Sequence, residues 1–270
     1  MRPLFFTYVY FTLGRESVKE KLLWYYERGR EGILMAYETV ERFTAGGRAC
    51  AALGDPAAEQ IIIQPMSAEG MEKLGDEYEL VRGLLDVPAD RSFLLCAFEI
   101  QDWNSELSPW EAPPAFGDEP FGSGARDTLR FIEEELLPAL GRMRPEAAEV
   151  PKLIIGGYSL AGLFALWAGL ESRAFSGVMA ASPSVWFPGF SEYAAGREMN
   201  AGRVYLSLGD REERTRNPLM RPVGDRIRAL ATDLSAQLGA ENVLLEWNKG
   251  GHFADHELRC ARGFAWTLKP

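Results

Sequence analysis

Pro151-Lys152-Leu153-Ile154-Ile155-Gly156-Gly157-Tyr158-Ser159-Leu160-Ala161-Gly162 is the stretch from which the rest of the chain is read. Its short apolar run with β-branched residues predicts a strand, and Leu160, Leu163, Phe164 and Trp167 recur behind it at helical spacing. Ser159 falls at the junction. A serine there is lifted clear of the backbone on a strained turn, provided that the residues two positions to either side are small. Those neighbours are Gly157 and Ala161. The usual pattern is G-x-S-x-G, so Ala161 departs from it by one methyl group, and Gly162 follows. The helix start behind Ser159 also offers backbone N–H groups that lack intrahelical partners and suit a developing oxyanion. A serine in this setting equally reads as a plain helix N-cap, so the remaining sequence has to discriminate.

Around this stretch the pattern is regular from Gln60 onward. Ile61 to Ile63 reads as a buried strand, and Met71, Leu74, Tyr78, Val81 and Leu85 trace one helix face. Ser92 to Ile100 reads as the next strand, and Leu129, Ile132, Leu136 and Leu140 as a helix leading to the Ser159 strand. Strands are expected at 177–181, 204–208 and 243–247. Met220, Val223, Ile227, Leu230 and Leu234 predict a helix stopped by Gly239, and Leu258, Ala261, Phe264 and Leu268 a final one. Such alternation means an α/β fold: a mainly parallel sheet covered on both faces, with ligands bound beyond the carboxyl ends of the strands. The first sixty residues are less regular. Leu4 to Leu13 reads as a strand, Ser17 to Arg28 as a short helix, and 33–40 with 48–53 as a strand pair around Ala45-Gly46-Gly47. A single domain over 1–270 is expected, with its catalytic core in 59–270.

At 270 residues, 47% hydrophobic and 25% charged, the chain can bury one large core. Its 29 basic and 39 acidic residues leave a formal charge of -10, which argues against nucleic acid or an anionic membrane as partner. Cys50, Cys96 and Cys260 are too few and too scattered for a disulfide framework, so the reducing cytoplasm is the expected compartment. The opening 2–11 has some signal-peptide character, but it is rich in Tyr and Thr and lacks a small-residue cleavage site; it reads as mature chain. No apolar run approaches the roughly 20 residues needed to span a bilayer.

A serine hydroxyl becomes a useful nucleophile when an imidazole takes its proton. The chain has two histidines, and His252 follows the last predicted strand in Asn248-Lys249-Gly250-Gly251-His252-Phe253, whereas His256 falls on the following helix. A carboxylate must then orient the imidazole. The strand at 204–208 runs into Gly209-Asp210-Arg211-Glu212-Glu213-Arg214, so three acids qualify, in the chain order serine, acid, histidine. The spacing of the histidines also fits two metal ligands, but Phe253 stands where H-E-x-x-H would place its glutamate, and Gly250-Gly251 favour a loop. No metal is expected. The loop 101–124 carries Trp103, Trp110, Phe116 and Phe121 among stiffening prolines, and reads either as a wall for an apolar substrate group or as packing. Trp186, after Ser182-Pro183-Ser184, joins them as a candidate.

Three segments together resemble the putative-esterase (esterase D-like) family of α/β-hydrolases, related to the trilactone-siderophore esterases. They are Gly157-Tyr158-Ser159-Leu160-Ala161-Gly162-Leu163-Phe164, Ala181-Ser182-Pro183-Ser184-Val185-Trp186, and Gly251-His252-Phe253 before a final helix. The resemblance covers about Ile61 to Leu268. It implies an α/β-hydrolase fold and a cofactor-free serine esterase acting on a small-molecule ester, with Ser159 as nucleophile and His252 as base. It further implies oxyanion donors at the N–H groups of Leu160 and, in Gln64-Pro65-Met66-Ser67, of Met66, since Pro65 has none. In relatives the acid often stands three residues beyond the glycine ending its strand, which from Gly209 is Glu212; some relatives work with serine and histidine alone. Trp103, Trp110, Tyr158 and Trp186 are the candidate substrate-binding residues. Acyl transfer on the same site, or a catalytically silent binding protein of this fold, are the rival readings.

Overall fold

The structure, a computed structural model, describes residues 12–13, 16–17, 40–85, 93–144 and 150–269. In the N-terminal unit the described residues form a short antiparallel pair, Thr12–Leu13 with Glu16–Ser17. The strand and helix expected at 4–13 and 17–28 otherwise lie outside the described residues, as does the part of the single-domain expectation that covers them.

From Val40 on, eight strands form one sheet. In chain order they are β1 (Glu41–Ala45), β2 (Arg48–Gly54), β3 (Gln60–Met66), β4 (Leu94–Glu99), β5 (Lys152–Tyr158), β6 (Phe175–Ala181), β7 (Arg203–Gly209) and β8 (Val243–Asn248). Across the sheet the order is β8-β7-β6-β5-β3-β4-β2-β1. All neighbours from β8 to β4 are parallel, and β2 pairs antiparallel with both β4 and β1. This is the α/β-hydrolase arrangement, with Ser159 directly after β5, near the middle of the sheet.

The helices are α1 (Ala68–Glu72), α2 (Leu74–Leu84), α3 (Trp103–Glu106), α4 (Ala125–Phe131), α5 (Leu137–Met143), α6 (Leu160–Glu171), α7 (Phe190–Ala194), α8 (Val223–Leu238) and α9 (His256–Thr267). Both faces of the sheet are covered because its central strands carry apolar residues in unbroken runs, such as 61–63 of β3 and 153–155 of β5. Ile61 and Ile63 of β3 pack into a core shared with α4, α5, α6 and α8, while Ile62 faces the opposite core, formed with α2 and α9. Such continuous apolar runs belong to sheets buried on both sides. Helix α6 follows the same rule, with Leu160 through Leu170 all buried. Among the described residues no helix is long and apolar enough to cross a membrane.

Several expectations need correction. The hairpin strand before Gly46-Gly47 is Glu41–Ala45, where a two-residue turn at 46–47 sets Ala45 opposite Arg48; the strand expected at 33–40 lies, but for Val40, outside the described residues. The helix face Met71 to Leu85 is divided at Lys73 into α1 and α2, although all five apolar residues are buried as read. Between α4 and α5 the chain makes a π turn over Ile132–Leu136. Pro138 follows at once; a proline cannot donate to the preceding turn, and a widened turn accommodates its ring. Met220 lies before α8, which begins at Val223 behind Pro222. The loop 101–124 is not structureless: it holds α3 and an antiparallel bridge between Ala112 and Phe121.

Candidate active site

Ser159 sits at φ 58° and ψ -117°, a backbone region that costs a non-glycine residue on the order of 1–3 kcal/mol and survives only where neighbours hold it. They do. Its N–H donates to the Ala181 carbonyl at 3.0 Å, and its carbonyl accepts the N–H groups of Ser184 and Leu163, each at 3.0 Å. A Cβ at Gly157 would stand 2.5 Å from that of Ala161, and one at Gly162 would stand 3.0 Å from the Gly157 carbonyl oxygen. The extra methyl at 161 is therefore accommodated because 157 is a glycine, and Gly162 in turn is held to glycine by the Gly157 carbonyl. The turn lifts the Ser159 side chain to the carboxyl end of the sheet, half-exposed.

Three residues from separate strand ends converge there. His252 Nε2 lies 3.0 Å from Ser159 Oγ, and His252 Nδ1 lies 2.7 Å from Glu212 Oε2. The second carboxylate oxygen, Glu212 Oε1, accepts from the Gly209 N–H at 2.7 Å, from Ser182 Oγ at 2.8 Å and from Arg259 Nη1 at 3.0 Å. Burial alone would push this carboxyl up, but the hydrogen bond and charge of His252, with the Gly209 N–H and the Ser182 hydroxyl, hold it below the usual carboxylate range. Glu212 is thus an anion with all its partners in place.

The other two acids are occupied elsewhere. Asp210 Oδ1 accepts the Gly250 N–H at 2.9 Å, which fastens the loop before His252 to the end of β7. Glu213 pairs with Arg228 of α8 at 2.9 Å, away from the site. His256 opens α9 and lies 3.2 Å from Glu257. Among the described residues no group of three or more His, Cys, Asp or Glu is placed to hold a metal ion. The cysteines are buried and free.

The two oxyanion candidates are placed differently from each other. Leu160 opens α6, so its N–H has no intrahelical partner and lies beside Ser159. Met66 is turned the other way. Its carbonyl accepts the Ile100 N–H at 2.8 Å, so its polar groups face β4, whereas the Glu59 carbonyl bonds Lys152 of β5 at 2.7 Å. Strand alternation then points the odd residues of this segment at the elbow strand: Pro65, which has no N–H, and next Ser67.

The aromatic candidates are largely fastened to the domain. The Trp110 indole N–H donates to the Pro188 carbonyl at 2.8 Å, and its ring packs on Phe187 and Tyr193 at 5.9 and 5.1 Å. Trp186 is buried against Phe121. Trp103 packs against the larger core, while Phe116 is exposed. Tyr158 donates its hydroxyl to the His252 carbonyl and lays its ring 5.2 Å from the imidazole, so it braces the loop that carries His252. A cavity of about 310 Å³ between α7 and α8, lined by Leu170, Val185, Phe190, Arg226 and Leu234, contains none of these residues.

Sequence reasoning missed Ser182 as a partner of Glu212, and Arg259 altogether. Ser182 has a local signal, since it follows a strand end in the Ser-Pro-Ser segment. Arg259 has none: it lies beside the apolar seam of α9, where periodicity alone would give it to solvent.

No curated protein matches the chain. Among solved structures, a siderophore hydrolase EstA from Aspergillus nidulans superposes with a TM-score of 0.67 at 16% identity, over 88% of this chain and 97% of that one. An IroE-like serine hydrolase from Shewanella oneidensis gives 0.63 at 15% identity, over 84% and 79%. The enterobactin esterase FES from Shigella flexneri gives 0.58 at 17%, over 84% of this chain and 58% of its own. Likeness at such identity speaks for the shared fold. The family is shown by sequence: a model described as putative esterase matches residues 91–240, more than half of the chain, a stretch that holds Ser159 and Glu212 and ends before His252. The chain is a member of the putative-esterase family and an ester hydrolase with the α/β-hydrolase fold.

Proposed function

We propose that the protein hydrolyses a small-molecule carboxylic ester through an acyl-serine intermediate, with Ser159 as nucleophile, His252 as general base and acid, and Glu212 as the orienting carboxylate. The observation that carries this reading is the unbroken line from Ser159 Oγ to His252 Nε2 at 3.0 Å and from His252 Nδ1 to Glu212 at 2.7 Å. Glu212 accepts the Nδ1 proton and so leaves Nε2 free to take the proton of Ser159 as its oxygen adds to the ester carbonyl. The tetrahedral oxyanion is held by the Leu160 N–H at the start of α6; we assign the second donor to the Ser67 N–H, the next one after Pro65 on the elbow side of β3. His252 returns the proton to the departing alcohol, and the acyl group stays on Ser159. Water, deprotonated by His252, then attacks the acyl carbonyl, and Ser159 recovers its proton as the carboxylic acid leaves. No cofactor enters either half.

The neighbours named as siderophore hydrolases and enterobactin esterases direct the choice of substrates. Trilactone and siderophore esters should be assayed beside activated short-chain esters. The decisive experiment treats the protein with a fluorophosphonate and maps the adduct by mass spectrometry. Stoichiometric labelling at Ser159, with loss of hydrolysis and its absence in Ser159→Ala, supports the reading; labelling elsewhere, or full hydrolysis by Ser159→Ala, overturns it.

A further inference from the structure

Arg259 is the bulkiest of the side chains that the described protein encloses completely, with 1% of its surface exposed. A guanidinium taken from water in this way costs several kcal/mol unless its donors are met. Nη1 donates to Glu212 Oε1 at 3.0 Å, to Ser182 Oγ at 2.9 Å and to the Tyr158 hydroxyl at 3.2 Å. Nη2 donates to the carbonyls of Gly251 at 3.0 Å and Lys249 at 3.3 Å, while Nε has no partner. One rigid plane therefore grips two separate parts of the site: the acid at the end of β7, and the backbone of the loop that delivers His252 from β8. Tyr158 completes the connection, since it accepts from Nη1 and donates to the carbonyl of His252 itself. The space admits nothing larger. A Cβ at Gly209 would stand 2.5 Å from the Gly250 carbonyl oxygen and 3.0 Å from Arg259 Nη2.

We infer that Arg259 is a positioning residue for the esterase reaction, fixing Glu212 and the His252 loop in one register so that the imidazole is held between acid and nucleophile. It touches neither Ser159 nor the imidazole, so it acts through Glu212 and through the backbone at 249–251. The inference rests on the triad proposed above. A cation whose role was only to neutralise a buried anion would need one contact with Glu212; here both nitrogens are used, and two of the five acceptors are main-chain carbonyls next to the base. This two-sided grip needs the guanidinium fork, and a lysine ammonium can serve one side at a time.

The test is a double-mutant cycle of Arg259→Gln and Glu212→Gln, read as kcat and KM on an activated ester, with folding followed by circular dichroism. Arg259→Gln should lower kcat about 100-fold with KM within about twofold, the scale of loss expected when a catalytic group is misplaced by about an ångström. In the Glu212→Gln background the same change should cost less than about threefold, because the acid it positions has already lost its function. Arg259→Lys should fall between, at about tenfold, and if Arg259→Gln fails to fold the lysine variant is carried through the same cycle. Folded variants that keep kcat within twofold, a loss confined to KM, or losses that multiply fully with Glu212→Gln would each overturn the inference. Ser159→Ala and His252→Ala run beside them: if those keep activity the triad itself is wrong, whereas dead Ser159 and His252 variants with active Arg259 variants refute Arg259 alone.

Discussion

Glu212→Gln is the sharpest perturbation that the geometry allows, because the amide must choose between two unacceptable orientations. With its NH₂ at the Oε1 position it would confront the Gly209 N–H, the Arg259 guanidinium and the Ser182 hydroxyl, and two of these three are obligatory donors. With its NH₂ at the Oε2 position it faces His252 Nδ1, 2.7 Å away, which must then accept instead of donate. The fixed donors select the second orientation. The imidazole is thereby forced into the tautomer that carries its proton on Nε2, against Ser159 Oγ, where it cannot serve as base. Holding the wrong tautomer costs on the order of 10⁴ in kcat in a triad of this kind. Leaving the buried Arg259 without its counter-ion should also remove about 3 kcal/mol of stability. Initial rates on an activated ester, taken well below the melting temperature of each variant, measure the first effect free of the second. The neighbouring acids supply the controls: Asp210→Asn keeps an acceptor for the Gly250 N–H, and Glu213→Gln breaks an exposed pair worth about 0–1 kcal/mol. Both should keep kcat within about threefold. If Glu212→Gln stays within tenfold of the parent, or if Asp210→Asn loses more, the tautomer argument fails and the site is better described as a Ser159–His252 dyad.

Three further outcomes are expected. His252→Ala should reduce hydrolysis to the background rate while His256→Ala changes it less than about twofold, since His256 meets the exposed Glu257 and only the edge of Tyr158; equal losses at both histidines would contradict this. Trp110→Ala should lower stability by about 2–3 kcal/mol, through loss of its packing on Phe187 and Tyr193 and of its bond to Pro188, and reduce activity alike on all esters; a changed ester preference at unchanged melting temperature would make it a substrate contact. Burial raises the Glu77 carboxyl to about 7, against a hydrogen bond from Gln64 and with the charge of Glu257. Its raised folded value means that stability is fully present below pH about 4.5 and is lost as pH rises through about 7, by at most roughly 3 kcal/mol. Glu77→Gln should therefore gain on the parent in melting temperature between pH 5 and 8, a window above the acid range in which the depressed Glu212 loses its contribution. A difference between the two proteins that does not change with pH would refute this.

Much of this architecture was legible because its signals are local. The apolar run at 152–155, the helical spacing from Leu160 and the small residues at 157, 161 and 162 specify a strand, a turn and a helix without reference to any distant residue. For the acid, local pattern offered three candidates, and only the resemblance to relatives pointed to Glu212. Within Gly209-Asp210-Arg211-Glu212-Glu213 the side chains diverge, and the one that turns inward stands three residues past the glycine whose N–H it accepts at 2.7 Å. The readings that local signals leave open depend on pairing. Whether Met66 or Ser67 faces the elbow is a matter of strand parity, and parity is set by which residue of β5 lies opposite Gln60, here Lys152. The tryptophans of the 101–124 loop belong with these, because an aromatic residue beside prolines looks the same whether its ring lines a pocket or, as with Trp110, reaches a carbonyl 78 positions away.

Arg259 marks the limit most clearly. Its acceptors lie 101, 77, 47, 10 and 8 positions away, at Tyr158, Ser182, Glu212, Lys249 and Gly251. None of those separations has a period that a pattern could register, and its own helix is recognised by the apolar residues on either side of it. A composition argument would place an arginine on the surface. What brings it inside is a demand that exists only after folding. The ends of β7 and β8 must be held together at the spacing of one imidazole, and the polar groups buried in doing so need a donor with more than one arm. A residue of this kind is recognised from the acceptors that surround it, which is why Ser159, His252 and Glu212 could be proposed one at a time from the chain while Arg259 could not.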